Sequence, residues 1–171
     1  IGCEGLQRLR QRIPQHSIDC DYVAGQMHVA IKPRQEHELR TWAHELQSNY
    51  GYGSIRFVER EEMRSLVASE RYLSGTFDSA SGHLHPLNYT LGLAAAAVRA
   101  GVRIFEGSRA RSFERGITVR VTTSRGEVRC AHLALCGNAY IGGTAPALAR
   151  KIMAVGTYVI ATEPLGAERA A

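Results

Sequence analysis

The segment Ile117-Thr-Val-Arg-Val-Thr-Thr alternates apolar and polar residues without a break. Ser124-Arg-Gly126 then turns the chain into a partner run, Glu127 to Leu135. Alternation with period two sorts side chains onto the two faces of a strand, and a short glycine-bearing turn joins two such strands antiparallel. Any fold for this chain must therefore hold at least one antiparallel hairpin. Glu36 to Tyr50 obeys the other period. Leu39, Trp42, Ala43, Leu46 and Tyr50 form one apolar stripe of a helix, with Glu36 and Glu38 in its first turn, where carboxylates suit the helix dipole. The two periods together predict a mixed α/β organisation with an α+β tendency: a mixed sheet with antiparallel hairpins and packed helices.

The remaining elements follow from the same signals. Leu6, Leu9 and Ile13 have helical spacing, and Pro14 is expected to stop that helix. Asp21 to Ile31 reads as a strand bent at Gly25, with Met27, Val29 and Ile31 on one face and Pro33 ending it. Gly51 and Gly53 end the helix that follows. A short strand, Ile55 to Val58, and an amphipathic helix, Glu59 to Val67, come next, the latter with Met63, Leu66 and Val67 inward. Tyr72 to Pro86 reads as turn-rich, with room for short strands flanking the turn. Leu87 to Ala100 reads as a buried helix closed by Gly101, Val102 to Glu106 as a strand, Gly137 to Pro146 as a loop, and Met153 to Thr162 as a last strand. No linker is marked, and the shift near Pro86 is the candidate boundary between lobes.

Size and composition remove several classes. A chain of 171 residues buries about 68–70% of its unfolded surface and needs neither disulfide nor metal to fold. Its longest apolar stretch, Leu91 to Val98, has eight residues against the roughly 20 of a membrane span. No segment reads as a signal peptide. Cys3, Cys20, Cys130 and Cys136 fit neither a redox pair nor a zinc knuckle and read as reduced thiols of a cytosolic protein. The net charge of +5 is the excess of 19 Arg and 2 Lys, scattered along the chain, over 16 acidic residues. They have no run with aromatic neighbours, so no nucleic-acid groove is expected.

Local motifs are incomplete. Gly51-Tyr-Gly53-Ser-Ile-Arg56 follows a helix and lacks the third glycine of a dinucleotide fingerprint. Gly137-Asn-Ala-Tyr-Ile-Gly142-Gly143-Thr144 approaches a P-loop, but Gly143 stands where the phosphate-binding Lys belongs. His37-Glu38 and His44-Glu45 lack the second histidine of a zincin site. His83 and His85 share a face in an extended segment, and with Asp78 as a third ligand they define an alternative, metal-dependent reading. The favoured assignment has no metal.

The ordered series in the second half carries more. Gly-His-Leu-His-Pro at 82–86 is followed by an Ala-rich helix and by Ala-Gly-Val-Arg-Ile-Phe-Glu at 100–106. Ser-Arg-Ala-Arg-Ser-Phe at 108–113 precedes the hairpin and Leu-Ala-Leu-Cys-Gly-Asn-Ala-Tyr at 133–140. This succession resembles the middle of the D-amino-acid-oxidase-type FAD-dependent oxidoreductases. Ile-Asp-Cys-Asp-Tyr at 18–22, Val-Ala-Ile-Lys-Pro-Arg at 29–34, Ser-Glu-Arg-Tyr-Leu at 69–73 and Gly-Thr-Tyr-Val-Ile-Ala-Thr-Glu-Pro-Leu at 156–165 narrow the likeness to the gamma-glutamylputrescine oxidoreductases.

The resemblance implies a two-lobed FAD enzyme, with residues 1–86 mostly in the substrate lobe, 87–150 in the cofactor lobe and 151–171 returning to the substrate lobe. It implies that Ala110 meets the FAD adenine through its backbone N–H and C=O. It also implies that Cys136, Gly137, Asn138, Ala139 and Tyr140 pass under the ADP half, and it makes Gly82, His83, His85 and Tyr158 substrate-pocket candidates. The family's N-terminal G-x-G-x-x-G segment and C-terminal section have no counterpart here, and Ile1 replaces Met at the start. The chain is therefore read as an interior part of a longer oxidase. The reaction implied for that parent is oxidation of a small amine by hydride transfer to flavin, giving an imine and then an aldehyde, with the catalytic base unassigned. The part itself is expected to be inactive, to bind FAD poorly and to self-associate through uncovered surface. A non-enzymatic interaction module on the same fold is the competing expectation.

Overall fold

The computed structural model describes residues 2–158 together with Glu163 and Gly166. These residues divide into two compact units, the first holding residues 2–102 with Gly166 and the second holding residues 103–158 with Glu163. The division falls after Val102, and Pro86 lies inside the first unit as the opening residue of a helix. Both units are built on antiparallel sheets, so the mixed α/β class holds. Among the described residues no helix is long and apolar enough to cross a membrane.

The first unit runs α1 (Gly2–Gln15), β1 (Val23–Ala30), α2 (Pro33–Tyr50), β2 (Ile55–Val58), α3 (Arg60–Leu66), β3 (Ser74–His83) and α4 (Pro86–Arg99). Its sheet has the order β1-β3-β2. The bend expected at Gly25 is a bulge: pairing with β3 slips between Ala24 and Gln26, and Gly25 takes φ +102°, open to glycine at little cost. α2 starts earlier than its stripe suggests. Pro33 sits in its first turn, and the Gln35 side chain accepts the backbone N–H groups of Ile31 and Lys32 at 3.0 and 3.1 Å. Gly51, with φ +62°, ends it in the left-handed conformation.

The centre of the unit differs from expectation. Tyr72 to Pro86 reads as turns because it is rich in Gly, Ser and Asp, yet residues 74–83 form the longest strand, β3, in the middle of the sheet. Pairing on both edges supplies the backbone bonds, so small side chains suffice, and their smallness lets α3 approach. A Cβ on Gly75 would stand 2.6 Å from both the His28 carbonyl oxygen and Met63 Cε. Met63 is fully buried there, worth roughly 1.5–3 kcal/mol. Ile55 and Val58 of β2, Ala30 of β1 and Ala43 of α2 complete the core.

Three further expectations are corrected. Pro14 lies within α1, which ends only at Gln15; a proline so close to the end removes one backbone bond without breaking the helix. α4 has the predicted length and Gly101 follows it with φ +89°, but none of its residues is buried, and Leu87, Leu91 and Val98 are exposed. Leu66 of α3 is likewise exposed.

The second unit holds β4 (Ala110–Glu114), β5 (Val119–Thr123) and β6 (Glu127–Cys130), a kinked 3-10 segment (Asn138–Thr144) and α5 (Pro146–Ala149). The hairpin is the predicted one, with Thr122 opposite Glu127 and Val119 opposite Cys130. It is shorter than its alternation, because β6 stops at Cys130 rather than Leu135. β4, not anticipated as a strand, pairs with β5. Val102 to Glu106 forms no strand; Val102, Ile104 and Phe105 are exposed, and an extended apolar segment needs a neighbour to pair with. Of the last expected strand, residues 153–158 are irregular and 159–162 lie outside the described residues. The four cysteines are free; Cys20 is buried and Cys136 exposed.

Candidate functional site

The strongest convergence of expected site residues lies in the second unit, where β4 begins beside the segment that leaves β6. A cleft of about 310 Å³ is lined there by Ala110, Leu133, Cys136, Gly137, Tyr140 and Thr144, with Arg109 at its edge. Four of the expected cofactor residues, Ala110, Cys136, Gly137 and Tyr140, thus share one wall system although 25 positions separate Ala110 from the nearest other member, Leu135 being the last residue before it. Asn138 and Ala139 do not line it.

Local bonds hold this geometry. Thr144 Oγ1 donates to the Ala110 carbonyl at 2.8 Å, tying the 3-10 segment to β4. The Tyr140 N–H donates to the Gly137 carbonyl at 2.9 Å. Asn138 and Gly142 take positive φ, and at Gly142 (φ +52°, ψ −139°) the chain kinks. The glycine at 137 has a steric reason. A Cβ there would lie 3.2 Å from Ile141 Cα, so the missing side chain makes room for the chain's own turn.

The cleft suits the adenosine end of a dinucleotide. Its volume reaches the lower end of small-molecule sites, Ala110, Ala134 and Gly137 leave its walls open, and the Tyr140 ring is 95% exposed and free to stack. The Ala110 carbonyl already accepts Thr144, so one of the two groups expected to read adenine keeps a single free lone pair. A second cleft of about 320 Å³ shares Arg109, Ala110 and Thr144 and adds Arg111, Ser124 and Gly143. Arg109, Arg111 and Thr144 escaped the sequence reading. Two arginines flanking Ala110, and a threonine ending the Gly142-Gly143 pair, were the available signal.

The substrate-pocket candidates are not gathered in the same way. Gly82 and His83 pair with Ala24 and Val23 at the end of β3. A Cβ on Gly82 would meet the Val23 carbonyl oxygen at 2.5 Å and the Tyr22 hydroxyl at 2.9 Å, which gives this glycine a packing role. His85 caps α4: its Nδ1 accepts the Asn88 N–H at 3.3 Å. Tyr158 belongs to the second unit and is exposed. The third ligand of the metal reading is also engaged, since both Asp78 oxygens accept the Tyr52 hydroxyl, at 2.9 and 3.0 Å. Burial first, then that hydrogen bond and the carboxylate's charge, push the Tyr52 hydroxyl up to about 12. Among the described residues no group of three His, Cys, Asp or Glu side chains is placed to hold a metal.

Comparison with known proteins follows the same lines. The FAD dependent oxidoreductase family matches residues 1–171. A probable oxidoreductase OrdL of Haemophilus influenzae is 37% identical over 170 residues, which is 96% of this chain and 39% of that protein. Gamma-glutamylputrescine oxidoreductase of Escherichia coli is 34% identical over 172 residues, 98% of this chain and 39% of the relative. This chain therefore spans about two fifths of the length of these relatives. Among solved structures, an L-amino acid deaminase from Proteus vulgaris superimposes with a TM-score of 0.72 at 23% identity, over 85% of this chain and 40% of that one. Glycine oxidase from Geobacillus kaustophilus gives 0.68 at 16% identity, over 84% and 38%. These two likenesses concern the fold.

Proposed function

The chain belongs to the FAD dependent oxidoreductase family, and on that premise we propose that it is part of an enzyme that oxidises a small amine, of the gamma-glutamylputrescine kind, to an imine and then an aldehyde. The observation that carries this reading is the cleft that gathers Ala110, Cys136, Gly137 and Tyr140, four positions that the resemblance assigns to the cofactor, in a chain 34% identical to gamma-glutamylputrescine oxidoreductase of Escherichia coli. FAD, when bound, supplies the hydride acceptor for the carbon next to the amine nitrogen.

This chain's own share is binding and orientation. Ala110, Ala134 and Gly137 leave space for the adenosine end, Tyr140 offers a stacking face, and Arg109 puts a cation at the rim. Residues 1–86 are assigned mainly to the substrate lobe, with Gly82, His83 and Tyr158 as pocket candidates; His85 is the weakest of these because its Nδ1 is spent on α4. Residues 87–150 are assigned to the cofactor lobe and 151–171 to the substrate lobe again.

On its own the chain is proposed to hold FAD weakly and to turn over no amine, as a span of about two fifths of its relatives. The exposed Val102, Ile104 and Phe105 are proposed to drive self-association. Mixing the protein with FAD and passing it through a sizing column tests both. The protein is expected to emerge colourless and larger than a monomer. A yellow monomer that bleaches anaerobically on addition of an amine would overturn the assignment of inactivity, and full-length protein that no amine bleaches would overturn the assigned reaction.

A further inference from the structure

A cleft of the first unit lies on the α2 face of its sheet and has a volume of about 450 Å³, within the range of small-molecule sites. Leu46, Ile55 and Trp42 form its apolar side, and Tyr52, Asp78 and His28 line it with polar groups. Side chains of four elements shape this part of the cleft, and α1 contributes further lining. Trp42 and Leu46 come from α2, Ile55 from β2, and Asp78 and His28 from neighbouring strands. The imidazole of His28 meets the Trp42 ring edge-on, with centroids 5.4 Å apart, so the indole is held in place.

Asp78 gives the cleft its chemistry. Every donor that reaches it is neutral: the Tyr52 hydroxyl, the Ala80 N–H at 3.0 Å and the Ser81 N–H at 3.3 Å. The two amides and the hydroxyl converge on Oδ1, while Oδ2 receives only the shared tyrosine proton. Among the described residues no Lys, Arg or His forms an ion pair with it, whereas Glu59 and Glu62 of the same unit are each held by an arginine. The cleft thus combines a half-buried carboxylate without a countercharge, a free acceptor position on Oδ2, and an indole ring that is 38% exposed. A carboxylate and an aromatic face set beside an apolar wall form the recognition pattern of an organic ammonium ion.

We infer that the cleft between α2 and the β1-β3-β2 sheet binds a small alkylammonium ion, whose charge meets Asp78 and whose chain lies along Trp42, Leu46 and Ile55. This does not rest on the cofactor reading, which concerns the second unit. Trp42 is the only tryptophan of the chain, so its fluorescence reports this cleft directly. The probe is n-butylammonium at pH 8, with n-butanol and n-butyrate as chain-matched controls and the 171-residue protein as it stands.

A saturable change is expected with the ammonium alone. Asp78→Asn keeps an oxygen that can accept the same donors, and it is expected to weaken binding about tenfold or more. The inference is overturned if butanol gives the same response, if butyrate binds better, if nothing saturates below about 0.1 M, or if Asp78→Asn binds as tightly as the parent. The comparison among the three probes uses the unaltered protein and so does not depend on how the variant folds.

Discussion

The two units solve different problems with the same antiparallel architecture. The first carries eleven basic and eleven acidic side chains between residues 1 and 102. The second carries nine basic and four acidic ones between 103 and 163, and so holds a charge equal to the whole excess of the chain. The first closes a core around Met63, Ile55, Val58, Ala30 and Ala43; in the second, only Ala145 is buried among the described residues. A helix on each side of the sheet fills the first unit. The second depends on ladder bonds and on local ties such as Thr144 to Ala110. The site proposed to hold an anionic dinucleotide therefore lies in the electropositive, thinly packed unit, where long-range attraction is available and local opening costs little.

The largest test of this contrast is a pair of truncations. Met63→Ala is expected to cost the first unit about 2–5 kcal/mol, because a fully buried side chain leaves a cavity. Val128→Ala, at an exposed strand position, is expected to stay within about 0.5 kcal/mol. Denaturant unfolding followed through Trp42 measures the first, and circular dichroism of the second variant measures the other. Equal losses would erase the distinction between the units.

Hydrogen exchange sharpens it. In protein diluted until it is monomeric, the amides of Thr76 and Phe77, in the central strand, are expected to exchange at least about a hundredfold more slowly than those of Ile104 and Phe105, which belong to no strand. Comparable rates would mean that the apolar segment 102–106 is covered in solution.

The smallest expected effect is acidic. Hydrogen bonds from Arg40 and Arg56 hold the carboxyls of Glu59 and Glu62 below their ordinary value of 4.5. Because the folded values are depressed, the contribution is complete above the ordinary value of 4.5 and drains away as pH falls through the lower folded ones. Both pairs are exposed, so the slope is shallow. Glu59→Gln and Glu62→Gln together are expected to flatten acid unfolding of the first unit between pH 5 and pH 3, and an unchanged profile would remove the pairs from the account.

Legibility divides along similar lines. The helix from 36 to 50, the strand 55–58 and the hairpin around the turn at 124–126 are readable because their period is set within the element, whereas the first turn of α2 and the early end of β6 are not. β3 was not, since its Gly and Ser residues are stabilised by two neighbouring strands and by Met63, which no local window contains. Val102 to Glu106 failed the opposite way: its composition suits a strand, but the described residues offer it no partner. At the candidate site, the resemblance named Ala110 and Cys136 to Tyr140. Thr144, which ties these two segments together, closes a glycine-bearing motif in the sequence, but its partner lies 34 positions away, outside any local window. The charge asymmetry was in the sequence throughout. Basic residues grow denser and acidic ones sparser in the second unit, so the asymmetry shows only when both signs are counted unit by unit.

The most direct measurement is an ADP titration followed by backbone amide NMR. The account predicts shifts at Ala110, Gly137, Tyr140 and Thr144, with the β3 amides of the first unit unmoved. Shifts confined to the first unit, or none at those four residues at millimolar ADP, would contradict the assignment of the cofactor's adenosine end to this cleft.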